Sequence, residues 1–193
     1  MSGTLPLLLV FALVSYLIGA IPFSYLIPKI LLDIDIRQHG SGNPGASNVS
    51  RVCGKGYGIS ALALDTGKGI ISVLLLQQLG LPLILGFLAI IGHIANPFFC
   101  FSGGKGVATS LGVISFLSWQ AGVVFVLLWV VVFLVWNIAG LSSLVAISST
   151  PVVFYFFDGL SIVLWGVVAL TVLIYFTHRG NIARLIKGEE RKV

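Results

Sequence analysis

Leu5–Ile27 reads LPLLLVFALVSYLIGAIPFSYLI, an apolar run with no charged residue. A helix needs about 20 apolar residues to cross the hydrocarbon core of a bilayer, and this stretch is long enough to do so. A secretory leader has a basic start, a shorter apolar run and a small-residue cleavage site; this run is full length with no basic residue before it, and reads as a retained first helix. Similar runs recur near 58–79, 83–101, 121–139 and 160–177, with two shorter ones near 107–117 and 144–157. Apolar residues make up 58% of the chain and charged residues 9%, and the mean hydropathy is +1.09. That composition excludes an ordinary soluble domain.

Turn residues separate the runs near Gly80-Leu81-Pro82, Ser118-Trp119-Gln120, Gly140–Ser143 and Asp158-Gly159. If both short runs cross, the chain is an all-α membrane protein with seven transmembrane helices; if both are re-entrant, it has five. Basic residues flanking spans are retained in the cytoplasm. With seven spans and an extracytoplasmic N-terminus, the eleven Lys and Arg fall on the cytoplasmic side or in the half-membrane beside it, and the C-terminus is cytoplasmic. Of the charged residues, only Asp158 falls opposite. The five-span alternative keeps the same sidedness. Positive-inside topology accounts for most of the net charge of +5, and a residual cluster would attract an anion. Cys53 and Cys100 stand alone, which makes disulfide and zinc roles weak. No repeat or hydrophilic domain interrupts residues 1–193, read as a single integral membrane domain.

The longest polar stretch runs from Lys29 to Gly58, and its Gly, Ser and Asn content, with Asp33, Asp35, Arg37 and His39, predicts a structured loop of tight turns. Within it lies Gly40-Ser41-Gly42-Asn43-Pro44-Gly45-Ala46-Ser47-Asn48, followed by Arg51. Glycines let backbone N–H groups converge on an anion, and a helix beginning near Ala46 would aim its positive end there. The plain alternative is a tight loop between helices. A Walker A pattern is absent.

Gly103-Gly104-Lys105-Gly106 places a lysine among glycines at a predicted helix start, combining a point charge with free backbone donors. His93 and Asn96, three apart, are expected on one helical face, where His93 is either a packing histidine or a ligand. Ser142 and Ser143 occupy the predicted turn, either as helix caps or as site residues. His178, Asn181 and Arg184 follow the last run, either as surface anchors or as one helical face, in a tail expected to lie along the membrane surface. Asp65 and Lys68 form a potential pair inside a span. Six acidic residues, none in a metal-ligand pattern, argue against two-metal transferases and zinc proteases.

These motifs resemble the bacterial PlsY glycerol-3-phosphate acyltransferases along nearly the whole chain. The resemblance lies in Gly19 with Ile21-Pro22-Phe23, the 40–48 string with Arg51, Leu64-Asp65 with Lys68-Gly69, and Gly92-His93. It continues in Phe101 with Gly103-Gly104-Lys105-Gly106-Val107-Ala108-Thr109, Leu141-Ser142-Ser143, and His178-Arg179 with Asn181-Ile182. The chain departs from the family pattern at Ser102, at Ile138-Ala139 and at Thr177 and Gly180.

The resemblance implies seven spans in the bacterial inner membrane and a site facing the cytoplasm. The implied reaction moves a fatty acyl group from acyl phosphate to the 1-hydroxyl of sn-glycerol 3-phosphate, giving lysophosphatidic acid and phosphate without metal or cofactor. It implies the two substrates and membrane lipid as partners, the enzyme supplying acyl phosphate as a candidate partner, and no nucleic acid. Under it, His178, Lys105, Ser142 and Ser143 are the catalytic candidates. Ser41, Gly42, Asn43, Asn48, Arg51, Lys68, His93, Gly103, Gly104, Asn181 and Arg184 are the substrate-binding ones. Ser41, Gly42 and Asn43 with Ser142 and Ser143 are assigned to acyl phosphate; Arg51, Lys105, His178 and Asn181 are assigned to glycerol phosphate.

An acyl phosphate is already activated, so positioning and charge stabilisation suffice. His178 is one candidate base, the departing phosphate another, and a serine acyl-enzyme a third route. The competing class is a transporter of a phosphorylated metabolite, disfavoured because the polar motifs sit at helix ends and no repeat is visible.

Overall fold

The structure, a computed structural model, describes residues 4–193. The described residues are helical with no strand and fall into two compact units, one ending at Leu117 and the other covering Ser118–Val193.

The first unit contains α1 (Thr4–Ala20), α2 (Phe23–Leu32), α3 (Ala46–Cys53), α4 (Lys55–Gln78), α5 (Phe87–Ile94) and α6 (Val107–Leu117). The opening apolar run is therefore not one straight helix. Pro22 lacks an N–H and disfavours helical backbone at Ile21, so α1 stops at Ala20 and α2 resumes with a bend of 41°. The unwound step exposes the carbonyls of Ala20 and Ile21, which accept from the Asn96 amide at 2.6 Å and from Lys68 Nζ at 2.7 Å. The break thus becomes an anchoring point for two other elements.

Small residues let these helices approach closely, as lipid-embedded helices require. A Cβ at Gly69 of α4 would collide with the Thr109 carbonyl of α6, and one at Gly112 of α6 with the Thr66 carbonyl of α4. Gly19 and Gly92 do the same for α1 against α5, meeting the carbonyls of Ala89 and Tyr16. Four glycines in reciprocal pairs set these two close crossings.

The second unit contains α7 (Trp119–Trp136), α8 (Ala139–Asp158), α9 (Ile162–Thr177) and α10 (Arg179–Ile186). α7 ends on Asn137, whose left-handed backbone (φ 57°) suits an asparagine, and its N–H closes on the Phe133 carbonyl. Because α8 starts at Ala139, Gly140–Ser143 belongs to its first turn; the connection expected there lies instead at Asn137-Ile138. The 144–157 run is the greater part of this 20-residue helix. α9 and α10 meet at His178 with a bend of 60°.

By length and composition, α4, α7 and α8 can each cross a bilayer, and up to five spans result if each bent pair, α1 with α2 and α9 with α10, counts as one. Residues such as Leu127, Val131, Leu134, Phe156 and Trp165 are exposed on these helices, which in water would be costly and in lipid is the expected outward face.

Candidate active site

The 40–48 loop is organised from inside by Asn48, which is buried on the first turns of α3. Its amide nitrogen donates to the carbonyls of Ile36 (3.2 Å) and His39 (3.0 Å). Its oxygen accepts from the Ser41 N–H (2.9 Å) and from Arg51 Nη1 (3.4 Å). Two donors and two lone pairs are all a carboxamide has, so Asn48 is fully used in shaping the loop. Gly40 and Gly42 adopt left-handed backbone (φ 61° and 73°), and a Cβ on Gly40 would strike the Asn48 oxygen. The result is an exposed Ser41 and half-buried Gly42 and Asn43 at the tip, with half-buried Arg51 one turn behind. α3 begins at Ala46, with no side chain capping its first turn.

A second cluster lies where α2, α4 and α5 meet. Lys68, only 2% exposed, has its ammonium 2.7 Å from Asp65 Oδ1, 2.7 Å from the Ile21 carbonyl and 2.9 Å from His93 Nδ1. Those three neighbours match its three protons. Asp65 accepts a further bond from Ser24 Oγ. A small cleft adjoins this network, bordered by Pro44 of the first glycine loop and by His93, Asn96, Gly103 and Gly104. His93 and Asn96 do not share a helical face as expected: α5 ends at Ile94, and Asn96 caps the next turn by accepting from the Phe98 N–H. The Gly103 and Gly104 N–H groups, expected to be free donors, bond instead to the carbonyls of Ile94 (2.8 Å) and His93 (3.1 Å). They close the end of α5. Lys105 follows half-buried, ahead of Gly106 and the start of α6.

The second unit gathers the other candidates. Ser142 and Ser143, both buried, donate to the carbonyls of Ile138 (2.9 Å) and Ala139 (2.8 Å), and Ser143 also accepts from the Trp129 indole at 3.1 Å. His178, 3% exposed, has Nδ1 2.8 Å from the Ile174 carbonyl. A carbonyl only accepts, so Nδ1 carries a proton, and in the neutral ring the lone pair lies on Nε2. Asn181 packs beside the first turn of α8, where a Cβ on Gly140 would press on its amide.

Two contributors were missed by the sequence reading. Glu190, 5% exposed, accepts from Asn181 Nδ2 at 2.6 Å and from Arg184 Nε at 2.8 Å. The only local signal is an acidic pair inside a basic tail, because the partner contacts come from the chain folding back. The second is Arg37, whose guanidinium stacks on the Tyr25 and Phe99 rings (4.7 Å to each) and grips Asp35 through two bonds. That pairing holds the Asp35 carboxyl at about 2, below its ordinary 3.8.

The structure therefore brings Ser41, Gly42, Asn43, Asn48 and Arg51 into one loop and helix, and joins His93, Gly103 and Gly104 around one cleft, with Lys68 behind His93. In the other unit Asn181 lies against the first turn of α8, which carries Ser142 and Ser143, and shares Glu190 with Arg184, while His178 starts the same short helix. Among the described residues, no three His, Cys, Asp or Glu side chains come together as a metal-ligand group.

Comparison with known proteins agrees along the length of the chain. A family model described as glycerol-3-phosphate acyltransferase matches residues 9–188. A glycerol-3-phosphate acyltransferase of Thermotoga petrophila is 43% identical, covering 95% of this chain and 95% of the relative. One from Desulforudis audaxviator is 43% identical over 92% of this chain and 91% of the relative. Crystal structures of PlsY, an integral membrane glycerol 3-phosphate acyltransferase, superpose in its glycerol 3-phosphate form (TM-score 0.89, 37% identity, 96% of this chain and 95% of that one). They do so too in its lysophosphatidic acid form (TM-score 0.86, 36% identity, 96% and 94%). With its helices, its loops and its sequence all matching over almost their full extent, this multi-pass membrane chain belongs to the glycerol-3-phosphate acyltransferase family.

Proposed function

We propose that this chain transfers a fatty acyl group from acyl phosphate to the 1-hydroxyl of sn-glycerol 3-phosphate, releasing lysophosphatidic acid and inorganic phosphate for phospholipid synthesis. The observation that carries this reading is His178: its Nδ1 proton is tied to the Ile174 carbonyl, which leaves the lone pair of the neutral ring on Nε2 as a proton acceptor. Family membership supplies the acceptor substrate. The donor is inferred from chemistry: the polar groups are cations, amides and glycine loops, suited to holding phosphates, while an acyl phosphate brings its own leaving group.

In this reading, the Ser41–Asn43 tip, Arg51 and Lys105 bind phosphoryl oxygens. The first turn of α8, where no side chain caps the helix, offers backbone N–H groups and its dipole to an anion. Asn181 and Arg184 orient glycerol 3-phosphate, and His178 takes the hydroxyl proton as the oxygen attacks the acyl carbon and the phosphate departs. Ser142 and Ser143 direct their protons to carbonyls one turn back, which favours a supporting role for them over an acyl-enzyme.

The topology proposed with this activity has seven spans: three long helices, two bent pairs and the two shorter apolar segments Leu83–Phe99 and Val107–Leu117. The N-terminus is then extracytoplasmic, and the basic loops face the cytoplasm of a bacterial inner membrane. The test is turnover by purified protein in lipid given palmitoyl phosphate and glycerol 3-phosphate, with and without chelator. Product from acyl phosphate but not from acyl-CoA is expected; no turnover by folded protein would shift the reading to a transporter.

A further inference from the structure

Among the described residues, the one group that the structure shows within hydrogen-bond distance of His93 Nδ1 is a donor, the Asp65 carboxylate lying farther off at 3.8 Å. Lys68 Nζ lies 2.9 Å from His93 Nδ1, and an ammonium has protons but no lone pair, so Nδ1 is the acceptor. A doubly protonated ring would face the ammonium with a second positive N–H at that distance. The neutral ring therefore carries its proton on Nε2, the opposite assignment to His178. Asp65, 2.7 Å from Lys68 Nζ and fixed by Ser24, aims the lysine at the ring.

Nε2 sits against Gly104, where any Cβ would collide with it. The glycine keeps the space beside the imidazole clear. The cleft there has room for one water-sized group and is bordered by both glycine loops, through Pro44 and through Gly103-Gly104. His93 is 7% exposed, so the donor reaches this cleft and little else.

We propose that His93 Nε2–H is a neutral donor to a single phosphoryl oxygen entering this cleft, and that Lys68 is a positioning residue that acts through His93 by occupying Nδ1. This rests on the acyl-transfer reading above, in which both substrates carry phosphoryl oxygens. The buried lysine itself never meets substrate; its three protons are used within the protein.

Two measurements test this in lipid nanodiscs. In protein labelled with ¹⁵N at its three histidines, with the His93 signals assigned by their loss in His93→Gln, the expected wild-type state is Nε2 protonated and Nδ1 bare. Glycerol 3-phosphate or inorganic phosphate, added separately, should move the Nε2 signal. A ring protonated on Nδ1 overturns the proposal, as does an Nε2 signal that neither probe moves. This readout does not depend on turnover, so it separates failure of the proposal from failure of the acyl-transfer reading, which wild-type activity in the same preparation tests.

The second measurement is the KM and kcat for each substrate. Glutamine places an amide donor where Nε2 sits and asparagine places one where Nδ1 sits. His93→Asn should raise one substrate's KM about tenfold with kcat little changed, the loss of one hydrogen bond to a charged oxygen, and His93→Gln, which keeps a donor at Nε2, should recover most of that loss. Which KM moves identifies whether glycerol 3-phosphate or acyl phosphate supplies the oxygen. The double variant Lys68→Met/His93→Asn should have the same KM as His93→Asn alone, since the lysine acts through the ring. Equal defects in His93→Gln and His93→Asn, or additive defects in the double variant, would reduce the pair to packing and overturn the proposal.

Discussion

His93 in the first unit and His178 in the second each lie at the end of an apolar helix, and each has its shortest side-chain contact at Nδ1. At His93 the neighbour is an ammonium, and at His178 it is a carbonyl. One ring is thereby set as a donor through Nε2 and the other, when neutral, as an acceptor there. The difference extends to their surroundings. The first unit surrounds its histidine with buried charge, Asp65 and Lys68, tied to an unwound carbonyl at Ile21. The second sets its histidine against the Ile174 carbonyl and the Thr177 hydroxyl, and places an ion pair, Arg184 with Glu190, in the tail. Polar groups in the first unit thus carry much of its packing, whereas those in the second are set mainly by local helix geometry.

The comparison breaks first at Lys68. Removing one member of a buried ion pair leaves the other uncompensated, at a cost of about 3–5 kcal/mol. Lys68→Met or Asp65→Asn should therefore lower the thermal midpoint strongly, and combining them should recover part of the loss; an unchanged midpoint in the single variants would remove the network from the fold's support. Gly112→Val is the next largest change. The side chain would drive into the Thr66 carbonyl where α4 and α6 cross, an overpacking cost of about 3 kcal/mol read in the same melt.

In the second unit the effect should appear in kinetics instead. Glu190→Gln keeps the shape but drops the charge that holds Asn181 and Arg184, and KM for glycerol 3-phosphate should rise roughly tenfold, the worth of one charge-assisted bond, with the melt little affected. A stability loss without a KM change would make Glu190 a packing residue. The smallest effect concerns Asp35. Its carboxyl is depressed to about 2 by Arg37, so the pairing stabilises the fold above the ordinary carboxylate range and is lost as pH falls from about 4 through 2. Wild type should lose stability in that window more steeply than Asp35→Asn, and parallel acid curves would contradict it.

Much of this was legible in the sequence because it is local. The apolar runs, the turns at Gly80-Leu81-Pro82 and Asp158-Gly159, the start of α3 at Ala46 and the Asp65–Lys68 pairing follow from composition and spacing within a few residues. What escaped depends on contacts between distant segments. Pro22 lies in an apolar run that reads as continuous, and only Lys68 and Asn96 reveal that its break is used. The glycines at 103 and 104 carry the composition of a phosphate loop, yet their N–H groups are taken by the carbonyls that end α5. Ser142 and Ser143 resemble a turn because serine favours helix ends, but the left-handed Asn137 moves the connection upstream and leaves them inside α8. Glu190 has no local signature; its role exists only once the tail returns to α10.

The most direct test of the donor and acceptor division is the kcat of His178→Ala with both substrates saturating. If His178 Nε2 takes the hydroxyl proton, kcat should fall by about 10²-fold or more with KM changed far less. A kcat within a few-fold of wild type with a raised KM would contradict the assignment and pass the proton to the departing phosphate.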